Sequence, residues 1–144
     1  MKILVLNGPN LNMLGVREED IYGSETLKDI EAKILKIAKE SNCEVSFYQS
    51  NAEHELIESI QQAYKDNTDA IIFNPAGYTH TSVALRDAIL AVQIPFFEVH
   101  ISDINSREDF RKKSYFSDIA QEVFSGHGTE GYILALKEAL KINR

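Results

Sequence analysis

Alternation between short apolar runs and longer segments of helical period most limits what this chain can fold into. Residues 2–7, 69–74 and 95–101 are apolar runs of strand length, and residues 44–50 alternate, with Val45 and Phe47 between polar neighbours. The segments between them have a different period. Residues 26–41 set Leu27, Ile30, Ile34 and Ile37 on one face, and Thr26 with Asp29 has the form of a capping box. Residues 53–67 repeat apolar side chains at Leu56, Ile57, Ile60, Ala63 and Tyr64. Residues 81–92 are apolar nearly all round, which predicts a well-buried helix. A charged stretch, SREDFRKKS, is predicted to begin a short helix. A weaker strand at 121–125 and a last helix at 131–142 complete the series.

Strands separated by helices imply a parallel sheet with helices on both faces. Five β/α units in 144 residues suit an α/β, flavodoxin-like, doubly wound five-stranded sheet of order 2-1-3-4-5. The first and third strands are continuous apolar runs, as central parallel strands should be. With no repeat, low-complexity tract or linker, residues 1–144 read as one domain.

The formal net charge of -7 argues against a nucleic-acid backbone or an anionic membrane as a general partner. An anionic small molecule stays open if basic groups gather locally. The single cysteine, Cys43, allows neither an intrachain disulfide nor a cysteine-based zinc site. The N-terminus runs straight into a strand, and no segment approaches the ~18 apolar residues of a membrane span. The expectation is a cytoplasmic protein.

Ligands of such sheets bind beyond the carboxyl ends of the strands. Hydrogen-bonding side chains converge there: Asn7, Asn10 and Asn12 after the first strand, Asn74 and His80 after the third, His100 and Ser102 after the fourth. A phosphoacceptor receiver needs acidic residues where this chain has Asn7 and Asn74. A flavin mononucleotide site wants a Ser/Thr/Gly-rich loop after the first strand. NGPNLNMLG has no serine or threonine, and Pro9 removes a backbone donor. The three-glycine dinucleotide pattern is absent as well.

Glu98 falls inside an apolar run, and a buried carboxylate needs a partner. His100 is two residues on, so both point to the same face of the strand. A glutamate accepting from one imidazole nitrogen fixes the tautomer and makes the other a candidate acid or base. The same spacing also suits a purely structural pair; the position at a strand's carboxyl end favours function. In the first loop, Arg17 near Tyr22 would lower a phenol whose ordinary pKa is about 10. Gly15 and Gly23 bracket a lid of about residues 15–23, or else a plain surface loop. Arg107 and Arg111 are spaced for one helical face, either a basic cluster at the site or a solvated surface. His54 reads as a surface residue, and His127 as site rim or simple turn.

Four stretches, in order, resemble the type II 3-dehydroquinate dehydratases over nearly the whole chain: NGPNLNMLGxREExxYG, NPAGYTHTSVALRDA, EVHISxxxxREDFRxxS and GxGxxGY. The resemblance implies a hydro-lyase that converts 3-dehydroquinate to 3-dehydroshikimate by anti elimination through an enolate. That is the third step of the shikimate pathway, and the family also acts in quinate catabolism. It implies no metal, no cofactor and no Schiff-base lysine. By the same resemblance, Tyr22 is the base, activated by Arg17; Asn12 helps hold a water at the enolate oxygen; and His100, oriented by Glu98, protonates the leaving hydroxyl. Asn74, His80 and Arg111 bind substrate hydroxyls, Ile101 and Ser102 bind the carboxylate, and Asp87 approaches from a neighbouring subunit. A homododecamer, a tetramer of trimers, is implied too.

The chain departs from the family's usual pattern at two places. Asp103 follows Ser102 where asparagine is common; it either adds negative charge near the carboxylate site or points elsewhere. Ala52, Glu53 and His54 stand where His-Glu-Gly often follows the asparagine. The rival reading is a non-catalytic binding module for an anionic polyol or sugar acid. The joint presence of Arg17, Tyr22, Glu98 and His100 argues against it, because binding alone needs no paired base and acid.

Overall fold

A computed structural model describes residues 1–16, 20 and 23–142. Its sheet has five parallel strands: β1 (Lys2–Asn7), β2 (Glu44–Gln49), β3 (Ala70–Asn74), β4 (Phe96–His100) and β5 (Glu122–Ser125). The order is β2-β1-β3-β4-β5, as expected. β1 and β3 are the most apolar strands and lie inside the sheet, where both faces are covered.

The described residues form four α-helices: α1 (Leu27–Glu40), α2 (Glu53–Lys65), α3 (Val83–Val92) and α4 (Glu130–Ala139). Thr26 caps α1 in the expected box. Its hydroxyl accepts from the Asp29 amide at 3.2 Å, and the Asp29 carboxylate accepts from the Thr26 amide at 3.0 Å. Alternation along the strands divides the core into two layers. Ile3, Val5, Ile72 and Val99 pack against α1 and α4, whereas Leu4, Leu6, Ile71 and Phe73 pack against α2 and α3.

Two expectations need correction. α3 is not buried all round: Leu85, Ala88, Ile89 and Val92 face the core, but Val83 and Leu90 are about half exposed. A sheet covers only one side of a helix, so apolar residues on the other side stay outside in a single chain. The SREDFRKKS stretch forms no α-helix. It contains one 3₁₀ turn, Asp109–Arg111, and follows another, Ile104–Ser106, the two joined through extended backbone at Arg107 and Glu108. The local cause is side-chain competition for backbone donors. Asp103 accepts from the Asn105 amide at 3.0 Å, and Ser114 Oγ accepts from the amides of Phe116 at 3.0 Å and Ser117 at 3.2 Å.

Candidate active site

The carboxyl ends of β1, β3 and β4 surround a cavity of about 200 Å³. That is below the ~300–1,000 Å³ typical of drug-sized ligands, so the occupant is small. The loop after β1 supplies one wall with Asn10, Leu11 and Leu14; the turn after β3 supplies Asn74, Ala76 and His80. The third wall is His100, Ile101 and Ser102, with Arg107 between the two 3₁₀ turns and Arg111 at the end of the second. The two arginines therefore do meet at one site, although no shared helix puts them there.

Close backbone contact shapes the floor. The Gly8 amide donates to the Asn74 carbonyl at 2.8 Å. A Cβ on Gly8 would lie 2.4 Å from the Pro75 carbonyl oxygen, so only glycine fits. The glycine of the first loop serves this approach rather than a phosphate. Ala76 follows in a left-handed conformation at φ 54°, and its amide donates to Asn74 Oδ1 at 3.1 Å.

Glu98 lies behind His100 and is fully buried. The His100 Nε2–H donates to Glu98 Oε2, leaving Nδ1 for the cavity. Two further donors complete the carboxylate: Ser114 Oγ to Oε2 at 2.9 Å, and Ser117 Oγ to Oε1 at 2.8 Å. Three donors explain how a carboxylate sits in the core. Sequence spacing revealed the histidine but not the serines, which lie 16 and 19 residues further on. Ser114 closes one of the motifs quoted above, and that was its only signal.

His80 Nδ1 donates to the Lys113 carbonyl at 2.6 Å, so Nε2 is left as an acceptor. Burial pushes its pKa below the ordinary histidine value; the bond to Lys113 opposes this, and positive charge on His100 and Arg111 adds to it. A neutral imidazole results. Arg107 Nη1 donates to Ser102 Oγ at 3.1 Å, and Arg111 Nε to Glu108 Oε2 at 3.0 Å. The Arg111 guanidinium holds the Glu108 carboxyl below its usual range.

The structure thus brings Asn74, His80, His100, Ile101, Ser102 and Arg111 together, with Glu98 directly behind. Asn12 is not in the lining. It is exposed, with Oδ1 3.5 Å from Gln49 Nε2, and Asn10 takes the place at the wall. Asp87 is exposed on α3, outside its own chain's cavity. Arg17 and Tyr22 lie outside the described residues.

Asp103 does point elsewhere: its oxygens accept from the Asn105 amide and, at 3.0 Å, from the Ser106 hydroxyl. At the second departure, Ala52 starts α2 with no side-chain cap of its own. Ser50 Oγ accepts from the Ala52 amide at 2.9 Å and donates to Glu55 at 2.5 Å. Asn51 still braces the rim, accepting from the Asn10 amide at 3.0 Å and, at its carbonyl, from the Tyr78 hydroxyl at 2.7 Å. His54 and His127 are exposed and do not line the cavity; His127 sits in a turn between Gly126 and Gly128, both at positive φ. Among the described residues no group of three His, Cys, Asp or Glu is placed to hold a metal ion, and no helix is long and apolar enough to cross a membrane.

The arrangement can deliver a proton from a carboxylate-backed imidazole to a small polar molecule held by an amide, a neutral imidazole and two guanidinium groups. The chain is similar to known proteins over nearly its whole length. The profile of the family "dehydroquinase class II" matches residues 1–140. The 3-dehydroquinate dehydratase of Methylococcus capsulatus is 59% identical over 140 residues, spanning 97% of this chain and 95% of its own. That of Idiomarina loihiensis is 58% identical over 139 residues, spanning 96% and 91%. Among solved structures, the type II dehydroquinase of Butyrivibrio crossotus superposes with a TM-score of 0.94 at 47% identity, covering 96% of this chain and 97% of its own. The enzyme from Propionibacterium acnes gives 0.93 at 39% identity, covering 98% and 97%. The family match over residues 1–140, the identities and the near-complete coverage agree, and the chain belongs to the class II dehydroquinase family.

Proposed function

We propose that this chain is a 3-dehydroquinate dehydratase, a hydro-lyase of the shikimate pathway that forms 3-dehydroshikimate by anti elimination through an enolate. The observation that carries the reading is the support behind His100: a buried carboxylate with three donors, aimed at an imidazole in a cavity wall. A binding module has no use for a charge held there.

The chemistry divides between two groups. Tyr22, with its phenol lowered by Arg17, takes the proton beside the ketone. The electrons collect on the ketone oxygen, and the resulting enolate expels the hydroxyl as a new carbon–carbon double bond forms. His100 Nδ1 protonates that hydroxyl so that it leaves as water; Glu98 stabilises the imidazolium before transfer and holds the ring. A base on the first loop and an acid on a strand end can flank the substrate on opposite sides, as anti elimination requires. Asn12 holds a water at the enolate oxygen, a task for which its amide has to turn from Gln49 towards the cavity mouth.

Asn74, His80 and Arg111 bind substrate hydroxyls. Because His80 Nε2 is an acceptor, its partner is a hydroxyl that donates. The amides of Ile101 and Ser102, with the serine hydroxyl, bind the carboxylate, and the arginines supply the positive field. Asp87 serves a neighbouring chain's cavity. Its exposed position between Val83 and Leu90 on the outer side of α3 is consistent with packing between copies, here a dodecamer built as a tetramer of trimers in the cytoplasm. The reaction as proposed calls on no metal or cofactor.

The test is the rise of enone absorbance with 3-dehydroquinate, measured for wild type and Tyr22→Phe. Turnover by wild type and its near loss in the variant are expected. A wild type with no turnover ends the dehydratase reading; an undiminished Tyr22→Phe ends the assignment of the base.

A further inference from the structure

We infer that Tyr132, on the first turn of α4, is a positioning residue: its buried phenol, together with the Ala76 amide, holds the Asn74 amide in the one orientation presented at the cavity. The inference rests on the reading of Asn74 as a substrate ligand.

The polarity of this network follows from one donor whose identity is certain. The Ala76 backbone amide donates to the Asn74 side chain at 3.1 Å, so the atom it meets is Oδ1. The other end of the amide, Nδ2, then donates to the Tyr132 hydroxyl at 2.9 Å. That oxygen is accepting, so its single hydrogen goes elsewhere, to Asn7 Oδ1 at 2.5 Å. Each link fixes the next. A flipped Asn74 amide would set its NH₂ against the Ala76 N–H, two donors face to face, and would break the series at its first step. With both ends held, the amide has one Nδ2 hydrogen and one Oδ1 lone pair left for a ligand.

The fold explains why the three residues meet. Asn7 and Asn74 are register partners at the ends of β1 and β3, and both side chains face the α4 layer. Tyr132 is fully buried in that layer and does not line the cavity. Burial drives its phenol far above the ordinary tyrosine value, so it keeps its hydrogen and takes no part as an acid or base. A residue needed only for volume would be phenylalanine, since a buried hydroxyl is costly unless it is bonded. The Pro75 backbone, at φ -73° and ψ -10°, is what turns the Ala76 amide back onto the Asn74 side chain.

The experiment compares wild type, Tyr132→Phe, Asn74→Ala and the double variant, with 3-dehydroquinate as substrate. Tyr132→Phe is expected to raise KM by about tenfold, ~1.4 kcal/mol, with kcat little changed, because a ground-state ligand is misdirected. In the Asn74→Ala background the same substitution is expected to have almost no further effect, since Tyr132 acts through Asn74. Equal effects in both backgrounds, or a fall in kcat alone with KM unmoved, would overturn the inference. Asn7→Ala provides a second route if Tyr132→Phe does not fold. It frees the phenol hydrogen to turn on Asn74, should raise KM likewise, and should be silent in the Asn74→Ala background; a normal KM overturns the inference. Failure of the underlying reading looks different: Asn74→Ala alone then keeps wild-type kinetics, or the wild type does not turn over.

Discussion

Replacing Gly8 by alanine tests whether the site depends on contact between two strand ends. The added Cβ would meet the Pro75 carbonyl oxygen at 2.4 Å, the Pro75 carbonyl carbon at 2.7 Å and the Asn74 oxygen at 3.3 Å. All three are backbone atoms, so no rotamer clears them. Ordinary contact at ~3.5 Å requires the two chains to part by about 1 Å, at the least straining the 2.8 Å bond from the Gly8 amide to Asn74. Overpacking costs about 1–3 kcal/mol and a lost hydrogen bond ~1 more, giving roughly 2–4 kcal/mol. At ~2–4 °C per kcal/mol for a domain of this size, Tm should fall by roughly 4–16 °C. The shift is centred on Pro75, next to the amide that orients Asn74, and a displacement of ~1 Å in a ligand-positioning group can cost about 10²-fold in activity. Circular dichroism melting and steady-state kinetics read the two effects. A Gly8→Ala protein that melts within ~2 °C of wild type and keeps its kcat/KM would refute the reasoning.

Two further outcomes follow from the groups around the cavity. Glu98→Gln keeps the shape but removes the charge and puts an NH₂ against a site filled by donors, so steady-state kinetics should show kcat lower by ~10²–10⁴-fold with KM less affected. His80 has a folded-state pKa below the unfolded value of ~6.5, so on acidification the unfolded chain takes up its proton first. Stability should therefore drop as pH falls from ~6.5 towards the folded pKa, and urea midpoints at pH ~7.5 and ~5.5 should differ more in wild type than in His80→Gln.

Properties encoded by local period were legible in the sequence. The apolar runs that form the strands, the Thr26 cap and the pairing of Glu98 with His100 on one strand face all depend on neighbours two to four residues away. What was missed depends on distant contacts. Nothing in the spacing says that Ser114 and Ser117 return to Glu98, because an irregular segment carries them there. Tyr132 stands 125 residues from Asn7, and only the meeting of α4 with β1 joins them. The charged stretch misled for a related reason. Its i,i+4 charges suit a helix, but the flanking Asp103 and Ser114 take backbone donors into local turns instead. Asn12 was placed at the site by its position after the first strand and by the resemblance; the turn at Leu11–Met13 sets its Oδ1 beside Gln49, an orientation no sequence spacing states.

The two buried networks approach the cavity from opposite faces of the sheet. Asn7, Asn74 and Tyr132 lie on the face covered by α1 and α4, while Glu98, His100 and Ser114 lie on the face covered by α2 and α3. They meet only because β1, β3 and β4 end at the same level. Each network is hydrogen-bonded on its core side, so substrate ligand and acid are held on strand ends before anything binds. The proposed base, Tyr22, lies outside the described residues. It belongs to the segment that leaves the cavity wall at Leu14, and Gly15 packs against Ser24, where a Cβ would stand 2.9 Å from the Ser24 carbonyl oxygen. Both ends of that segment are therefore anchored beside the cavity. Substitutions in the two buried networks should alter positioning on one side of the substrate at a time.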